Sequence, residues 1–262
     1  MEKALISSLS NPLVKRVRAL RHVKARTRSG TFLVEGLHHI GSALEAGWRL
    51  ETLLYAPSLL SSGFGPSLLE SARAAGVLPQ PVSEAVMESV TDKENPQGAL
   101  AVVRQKRTAP GELGKVASGV ALVAPQDPGN VGTILRTVEA AGVESFFQLD
   151  GGVDLFHPTL VRASMGALFW VPVVSTSFED FIDWSRNRNM TLIGTSAHAR
   201  RDYREALPVD PPWMLVMGNE QKGLSPAQIA ACDLALTITM TGRASSLNLA
   251  VATGVFLYAL KK

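Results

Sequence analysis

Three stretches of this sequence place residues able to do chemistry in turns that directly follow apolar, strand-like runs. The first, Gln126-Asp127-Pro128-Gly129-Asn130-Val131-Gly132, leads into a helical segment carrying Arg136. Asn130 suits an N-cap, since its side-chain oxygen can accept from the free N–H groups of a first helical turn. Val131, Ile134, Leu135 and Val138 share one face of that helix. At about 100° per residue, Arg136 lies roughly 150° from the centre of the face. Its guanidinium is therefore either a solvated surface charge or a group aimed at a partner. The second stretch, Met217 to Ser225, sets Gly218 and Gly223 on either side of the acid Glu220. Glycines there permit a tight turn and close approach of a ligand. Their spacing mimics a phosphate loop, but Leu224-Ser225 stands where Lys-Ser/Thr is required, and no Gly-x-Gly-x-x-Gly fingerprint occurs. ATP and NAD chemistry thus lose their usual signals. The third stretch, Ile238 to Ala252, runs a strand through the turn at Gly242 into a Ser/Asn-rich helix start. Ser245 or Ser246 can cap that helix, and Asn248, in an apolar setting, needs hydrogen-bond partners.

Length and composition bound what these turns can belong to. A chain of 262 residues makes one large domain or two small ones. With 46% hydrophobic and 19% charged residues, disorder over most of the length is excluded. The single cysteine, Cys232, excludes an internal disulfide framework and a cysteine-cluster metal site; it fits a reducing, cytoplasmic compartment and reads as a small buried hydrophobe rather than a nucleophile. No metal site is expected: His38-His39 sits in a helical segment with no further ligand nearby, and His157 before Pro158 reads as a helix-start residue. The N-terminus has no apolar run of signal-peptide length, and no run reaches the roughly 18 residues of a membrane span. Leu247 to Leu260 is expected as a buried helix.

The net charge of +3 is unevenly placed. Residues 1–30 hold eight cations against Glu2, a local +7, while the remaining 18 cations and 22 acids leave the rest at −4. A basic arm on a mildly acidic body points to a polyanion, most often nucleic acid; a solvated helix is the plainer alternative.

The elements that must position the three turns follow from periodicity. In the first half, a helix is expected from Asn11-Pro12 to about Arg28, then a strand at Thr31–Val34 and a helix at Leu37–Ala46. A strand at Leu50–Tyr55, a helix at Leu68–Ala75 and a strand at Ala99–Val103 complete it. The polar stretch Arg104 to Gly114 reads as a linker, dividing the chain into domains 1–107 and 108–262. In the second half, strands are expected at Val120–Ala124, Ser145–Leu149, Val171–Val174, Thr191–Thr195, Trp213–Met217 and Leu236–Met240. Helices are expected to begin near Asn130, Pro158, Phe178, Ser225 and Ser245. Continuous apolar strands separated by helices predict an α/β fold with a mostly parallel sheet, whose ligands sit beyond the carboxyl ends of the strands.

Taken singly, each stretch has a plainer reading as surface arginine, turn acid or helix cap. Together, in this order and spacing, they resemble the signatures of the SpoU/TrmH family of RNA 2′-O-ribose methyltransferases, within the SPOUT superfamily. The matching residues are Asn130, Gly132 and Arg136; Gly218, Glu220 and Gly223; and Ile238, Met240, Gly242, Ser246, Leu247 and Asn248. The stretch Val161 to Ala167 also looks like a family segment. The sequence departs from the family pattern at Thr239, where proline is usual, and at Leu249-Ala250, where Val-Ser is common; Thr239 is expected to loosen the loop that holds the cofactor. Residues 1–107 are similar to the family's small α/β substrate-binding domain, through Asn11-Pro12-Leu13-Val14-Lys15, Phe32-Leu33-Val34-Glu35-Gly36 and Pro96-Gln97-Gly98.

The resemblance implies a C-terminal sheet with a deep trefoil knot, S-adenosylmethionine as cofactor, and methylation of a ribose 2′-hydroxyl in structured rRNA or tRNA. It implies that Gly218, Ile238, Met240 and Leu247, with Thr195, meet the cofactor, largely through backbone. Arg136 then acts on the substrate; a guanidinium is very hard to deprotonate, so a phosphate clamp and stabiliser of alkoxide charge is the preferred role. Asn130 and Glu220 orient Arg136 or the ribose, while Ser246 and Asn248 hold the knot loops and the substrate side. The resemblance further implies a homodimer through the C-terminal domain and RNA-backbone binding by Lys15, Arg16, Arg18, Arg21 and Lys24. Two other readings stay open: a non-catalytic RNA-binding protein that keeps the fold, and a small-molecule enzyme.

Overall fold

The structure, a computed structural model, describes residues 3–60, 63–91, 97–206 and 208–260. Pro96 of the expected Pro96-Gln97-Gly98 motif lies outside these residues, as does Glu2. The chain divides into two compact units. One comprises residues 1–106 and Asp154–Phe169, the other Arg107–Val153 and Trp170–Lys262.

The first unit begins with α1 (Pro12–Ala19) and α2 (Val23–Ser29), followed by β1 (Thr31–Glu35), α3 (Leu37–Glu45), β2 (Leu50–Tyr55) and α4 (Phe64–Ala74). Then come β3 (Gln80–Pro81), α5 (Glu84–Val90) and β4 (Ala99–Arg104). The strands order β1-β4-β2-β3, with β4 antiparallel to both of its neighbours. Val14 and Val17 of α1 and Val86 and Met87 of α5 pack with Leu54 and Leu100 in one core.

Where one long helix was expected from Pro12 to Arg28, there are two. The Asn11 side chain accepts the Leu13 N–H at 2.8 Å and starts α1 as foreseen. The break at Leu20–His22 has a cause in Arg26, which is only 2% exposed. Its Nη1 donates to the carbonyls of Leu20 (2.8 Å) and Arg21 (2.7 Å), the acceptors a continuing helix would give to Lys24 and Ala25. Its Nε and Nη2 meet Asp154 Oδ2 at 2.7 and 2.6 Å. A residue counted in the basic arm is thus an internal strut.

The second unit opens with β5 (Ser118–Val123), α6 (Pro128–Ala140) and β6 (Ser145–Leu149). The chain then departs to supply α7 (Pro158–Ala163) to the first unit, where the Phe156 ring packs tilted against Phe32, their centroids 4.7 Å apart, and the Trp48 indole N–H reaches the Phe169 carbonyl at 3.0 Å. The linear division into 1–107 and 108–262 does not contain this excursion. His157 caps α7, its Nδ1 accepting the Thr159 N–H at 3.2 Å. The second unit continues with β7 (Val173–Thr176), α8 (Phe178–Arg186), β8 (Thr191–Thr195), β9 (Arg201–Asp202), α9 (Tyr203–Ala206), β10 (Trp213–Met217), α10 (Pro226–Ala230), β11 (Leu234–Thr237) and α11 (Leu249–Leu260).

Among the described residues its sheet runs β7-β6-β5-β10-β8-β11-β9, every neighbouring pair parallel. Every residue of the interior strands β5, β6 and β10 is buried, which accounts for their mostly apolar sequences. Parallel strands all end at one edge, so the turns after β5, β8, β10 and β11 open on the same side. No helix is long and apolar enough to cross a membrane among the described residues.

Breaking the internal strut tests its weight. Asp154→Ala leaves a buried guanidinium without its counter-charge and is expected to lower unfolding free energy by about 3 kcal/mol, read from urea titration. A loss below about 1 kcal/mol, the value of a solvated pair, would contradict the assignment.

Candidate active site at the carboxyl edge of the parallel sheet

The turn after β10 is the centre of the site. A Cβ at Gly218 would collide with the backbone of Gly223 and Leu224, so only glycine lets the chain double back this closely. Asn219, which sequence reasoning passed over, closes the turn. Its carbonyl accepts the Gly223 N–H at 2.9 Å, and its Oδ1 accepts the N–H groups of Gln221 (3.0 Å) and Lys222 (3.2 Å). Its Nδ2 donates to the Ala124 carbonyl at 2.7 Å, fastening the turn to the end of β5. Asparagine's habit of bonding the backbone two residues on was the available signal.

Glu220 carries the same fastening further. One carboxylate oxygen accepts the Gln126 N–H at 3.0 Å, the other the Asp127 N–H at 3.1 Å. Expected to orient Arg136 or the ribose, Glu220 instead grips the loop that launches α6. The cap of α6 is Asp127, whose carboxylate accepts the Asn130 N–H at 2.6 Å, so Asn130 is not the N-cap. Freed from that duty, Asn130 Oδ1 accepts from Asn248 Nδ2 at 3.0 Å. Asn248 Oδ1 in turn accepts the N–H groups of Ala250 (2.9 Å) and Val251 (3.4 Å). Asn248 therefore begins α11, and neither Ser245 nor Ser246 does; the helix starts at Leu249 because the asparagine that caps it is also tied to α6. Likewise β11 ends at Thr237, so Ile238 and Met240 lie in an extended loop beyond the strand.

These turns enclose a cavity of about 670 Å³. All five residues expected to meet a cofactor line it, namely Thr195, Gly218, Ile238, Met240 and Leu247, and so do Glu220 and Ser246. Arg136, Asn130 and Asn248 do not. The apolar face of α6 is fully buried as foreseen, and Arg136 is exposed on the other side with no hydrogen bond or ion pair among the described residues. The backbone from Met240 to Leu247 makes no hydrogen bond to other described residues, leaving N–H and C=O groups at the cavity wall open to a ligand. Thr239 is not loose: its N–H and hydroxyl both donate to Asp202 Oδ2, at 3.0 and 2.6 Å. The Arg204 guanidinium, then the Thr239 hydroxyl, hold the Asp202 carboxyl well below the usual carboxylate range.

Cys232, packed against Gly194 of β8, is half-buried, and burial followed by the nearby Asp233 charge pushes its thiol up to about 11. It stays protonated at neutral pH and is not a nucleophile. In the basic arm, Lys15, Arg16 and Lys24 are exposed. Arg18 instead donates to the Ser89 carbonyl (3.2 Å) and hydroxyl (2.9 Å), and Arg21 to the Thr91 carbonyl. With Arg26, three of the eight cations that charge counting placed in the arm are committed to the first unit's own fold.

The chain matches two family descriptions: the SpoU rRNA Methylase family over residues 118–258 and the MRM3-like substrate binding domain over residues 11–101. It is 33% identical to the 23S rRNA (guanosine(2553)-2'-O)-methyltransferase of Bacillus subtilis, covering 98% of each chain. It is 34% identical to the 23S rRNA (uridine(2479)-2'-O)-methyltransferase of Streptomyces viridochromogenes, over 89% of this chain and 83% of that one. The AdoMet-bound rRNA methyltransferase from Sinorhizobium meliloti superposes with a TM-score of 0.89 at 35% identity, covering 98% of this chain and 96% of that chain.

Gly218→Ala forces the turn off the backbone of Gly223 and is expected to weaken ligand binding in the cavity by more than about tenfold, measured calorimetrically with S-adenosylmethionine. An affinity within twofold of the parent would detach this turn from the binding site.

Proposed function

Because the chain belongs to the SpoU rRNA Methylase family, we propose that it transfers a methyl group from S-adenosylmethionine to a ribose 2′-hydroxyl of ribosomal RNA, acting as a homodimer. One observation carries the reading: the turns after β8, β10 and β11, the last two bearing glycine, lie far apart in sequence yet close around one cavity. The residues present fit the cofactor. Gly218 lets the turn on the cavity wall fold against its own backbone, and the open backbone of Met240 to Leu247 supplies donors and acceptors without fixed charge. Thr195, Gly218, Ile238, Met240 and Leu247 would hold it. Bound there, S-adenosylmethionine supplies a methyl group on a positively charged sulfur.

This chain's own residues then bind, orient and exclude water, which is where most of the rate of an in-line transfer arises. Arg136 grips the phosphate next to the target ribose and stabilises charge developing on its 2′-oxygen. A guanidinium is very hard to deprotonate, so Arg136 clamps rather than accepts the proton. Glu220 and Asn219 fix the loop before α6, and Asn130 and Asn248 lock the start of α6 to that of α11, so the helix bearing Arg136 and the cavity move as one body. Ser246, on the cavity wall, faces the substrate side.

Arg136 is exposed away from its own core, and α11, packed on α6, exposes Val251 (54%) and Tyr258 (62%). These features support a dimer through the second unit, in which Arg136 completes the partner's cavity. The trefoil knot belongs to the same reading, supported by β10 lying between β5 and β8 while the later β11 lies beyond β8. We assign RNA backbone binding to residues 1–107, through the exposed Lys15, Arg16 and Lys24, and methyl transfer to residues 108–262. Large-subunit rRNA in the cytoplasm is the proposed target, on the strength of the relatives' names. A non-catalytic RNA binder is disfavoured, since relatives matching almost the whole chain are named as methyltransferases.

Mapping 2′-O-methylation across total RNA from cells with and without the protein is expected to show loss of one site in large-subunit rRNA; an unchanged map sinks the reading. Arg136→Lys keeps the charge but loses the two-pronged fork, and turnover is expected to fall by about two orders of magnitude with cofactor affinity retained. Near-parental turnover across pH would remove the clamp.

A further inference from the structure

The wall of the cavity from Thr237 to Met240 is braced by a short segment outside the three turns. β9 pairs in parallel with β11, Arg201 opposite Leu236 and Asp202 opposite Thr237. Asp202, 7% exposed, reaches past the strand end to take both donors of Thr239 on one oxygen. The rest of its carboxylate is saturated by Arg204, whose Nε and backbone N–H donate to Oδ1 at 2.8 and 3.1 Å and whose Nη2 donates to Oδ2 at 3.2 Å. Between them, Tyr203 sets its ring edge-on to Phe256 at 5.8 Å. Thr237, Thr239 and Phe256 all line the cavity. Four consecutive residues thus brace both the loop wall and the helix wall of one site.

A proline at position 239 would fix φ within its ring and carry no N–H to satisfy. Threonine offers neither property: its φ is free within the β region, and its N–H must find an acceptor. Asp202 supplies that acceptor, and binds the hydroxyl with the same oxygen. We propose that Asp202 is a positioning residue that fixes Ile238–Met240 against the cofactor, replacing by hydrogen bonds the restraint that a proline supplies covalently. The proposal rests on reading this cavity as the S-adenosylmethionine site. Asp202 touches no reacting atom; it acts through Thr239.

Calorimetric titration of the full chain with S-adenosylmethionine tests it, together with turnover on unmethylated 23S rRNA. Asp202→Ala is expected to raise Kd and the cofactor KM about tenfold, the worth of one charge-assisted hydrogen bond, with kcat at saturating cofactor falling less than about threefold. Thr239→Val, which keeps the backbone donor, is expected to raise Kd by about threefold. Adding Thr239→Pro to Asp202→Ala recovers most of the affinity, because the ring needs no acceptor. A Kd for Asp202→Ala within twofold of the parent overturns the proposal. So does a parallel fall of kcat and affinity that Thr239→Pro does not relieve, the mark of a merely structural role. If the parent chain itself does not bind S-adenosylmethionine, the cavity reading falls and the brace falls with it.

Discussion

The Glu220 carboxylate spans two turns that are 93 and 94 residues apart in sequence, one oxygen on the Gln126 N–H and one on the Asp127 N–H. Because β5 and β10 are parallel neighbours, those turns emerge side by side, and one carboxyl group satisfies two backbone donors of the turn after β5. The rest of the site hangs from this junction. Asp127, held by Glu220, caps α6; α6 presents Asn130; Asn130 meets Asn248; and Asn248 starts α11. Five polar side chains, Asn219 included, thus tie the turns after β5 and β10 to the starts of α6 and α11.

Such a junction explains how a site can hold a charged ligand with few charges of its own. The cavity wall is mostly small and apolar residues, and the charged side chains among those lining it are one acid, Glu220, and one base, Arg200. Arg136 stands on the far side of α6 from the buried core, while Arg204 is consumed by Asp202. A sulfonium cofactor is not repelled by such a wall. The exposed cations Lys15, Arg16 and Lys24 belong to the first unit.

Much of this was legible in the sequence, and the failures share a cause. Ser145–Leu149, Thr191–Thr195 and Trp213–Met217 were placed to the residue because strands buried on both faces read as bounded apolar runs. Gly218 on the cavity wall was legible because a glycine turn follows the apolar run Trp213–Met217. The caps were misassigned at Asn130 and Ser245/Ser246 because several good cap formers stand together there. The choice between them is made by Asn130 and Asn248 bonding each other across 118 residues. Arg26 looked like one more surface cation because its counter-charge, Asp154, lies 128 residues on. Thr239 looked like a weak point because its acceptor, 37 residues upstream, sits on a two-residue strand with no periodicity to reveal it.

The excursion of Asp154–Phe169 into the first unit also sets an order of events during synthesis. Domains generally fold as they emerge from the ribosome, amino-terminal first, yet this one lacks Phe156, Phe169 and the partner of Arg26 until Phe169 has left the exit tunnel. By then β5, α6 and β6 have already appeared. The front half must therefore wait, with the ring of Phe32 uncovered, for a piece of chain that the back half delivers. A fragment truncated at the linker would remain in that waiting state, prone to chaperone capture or self-association.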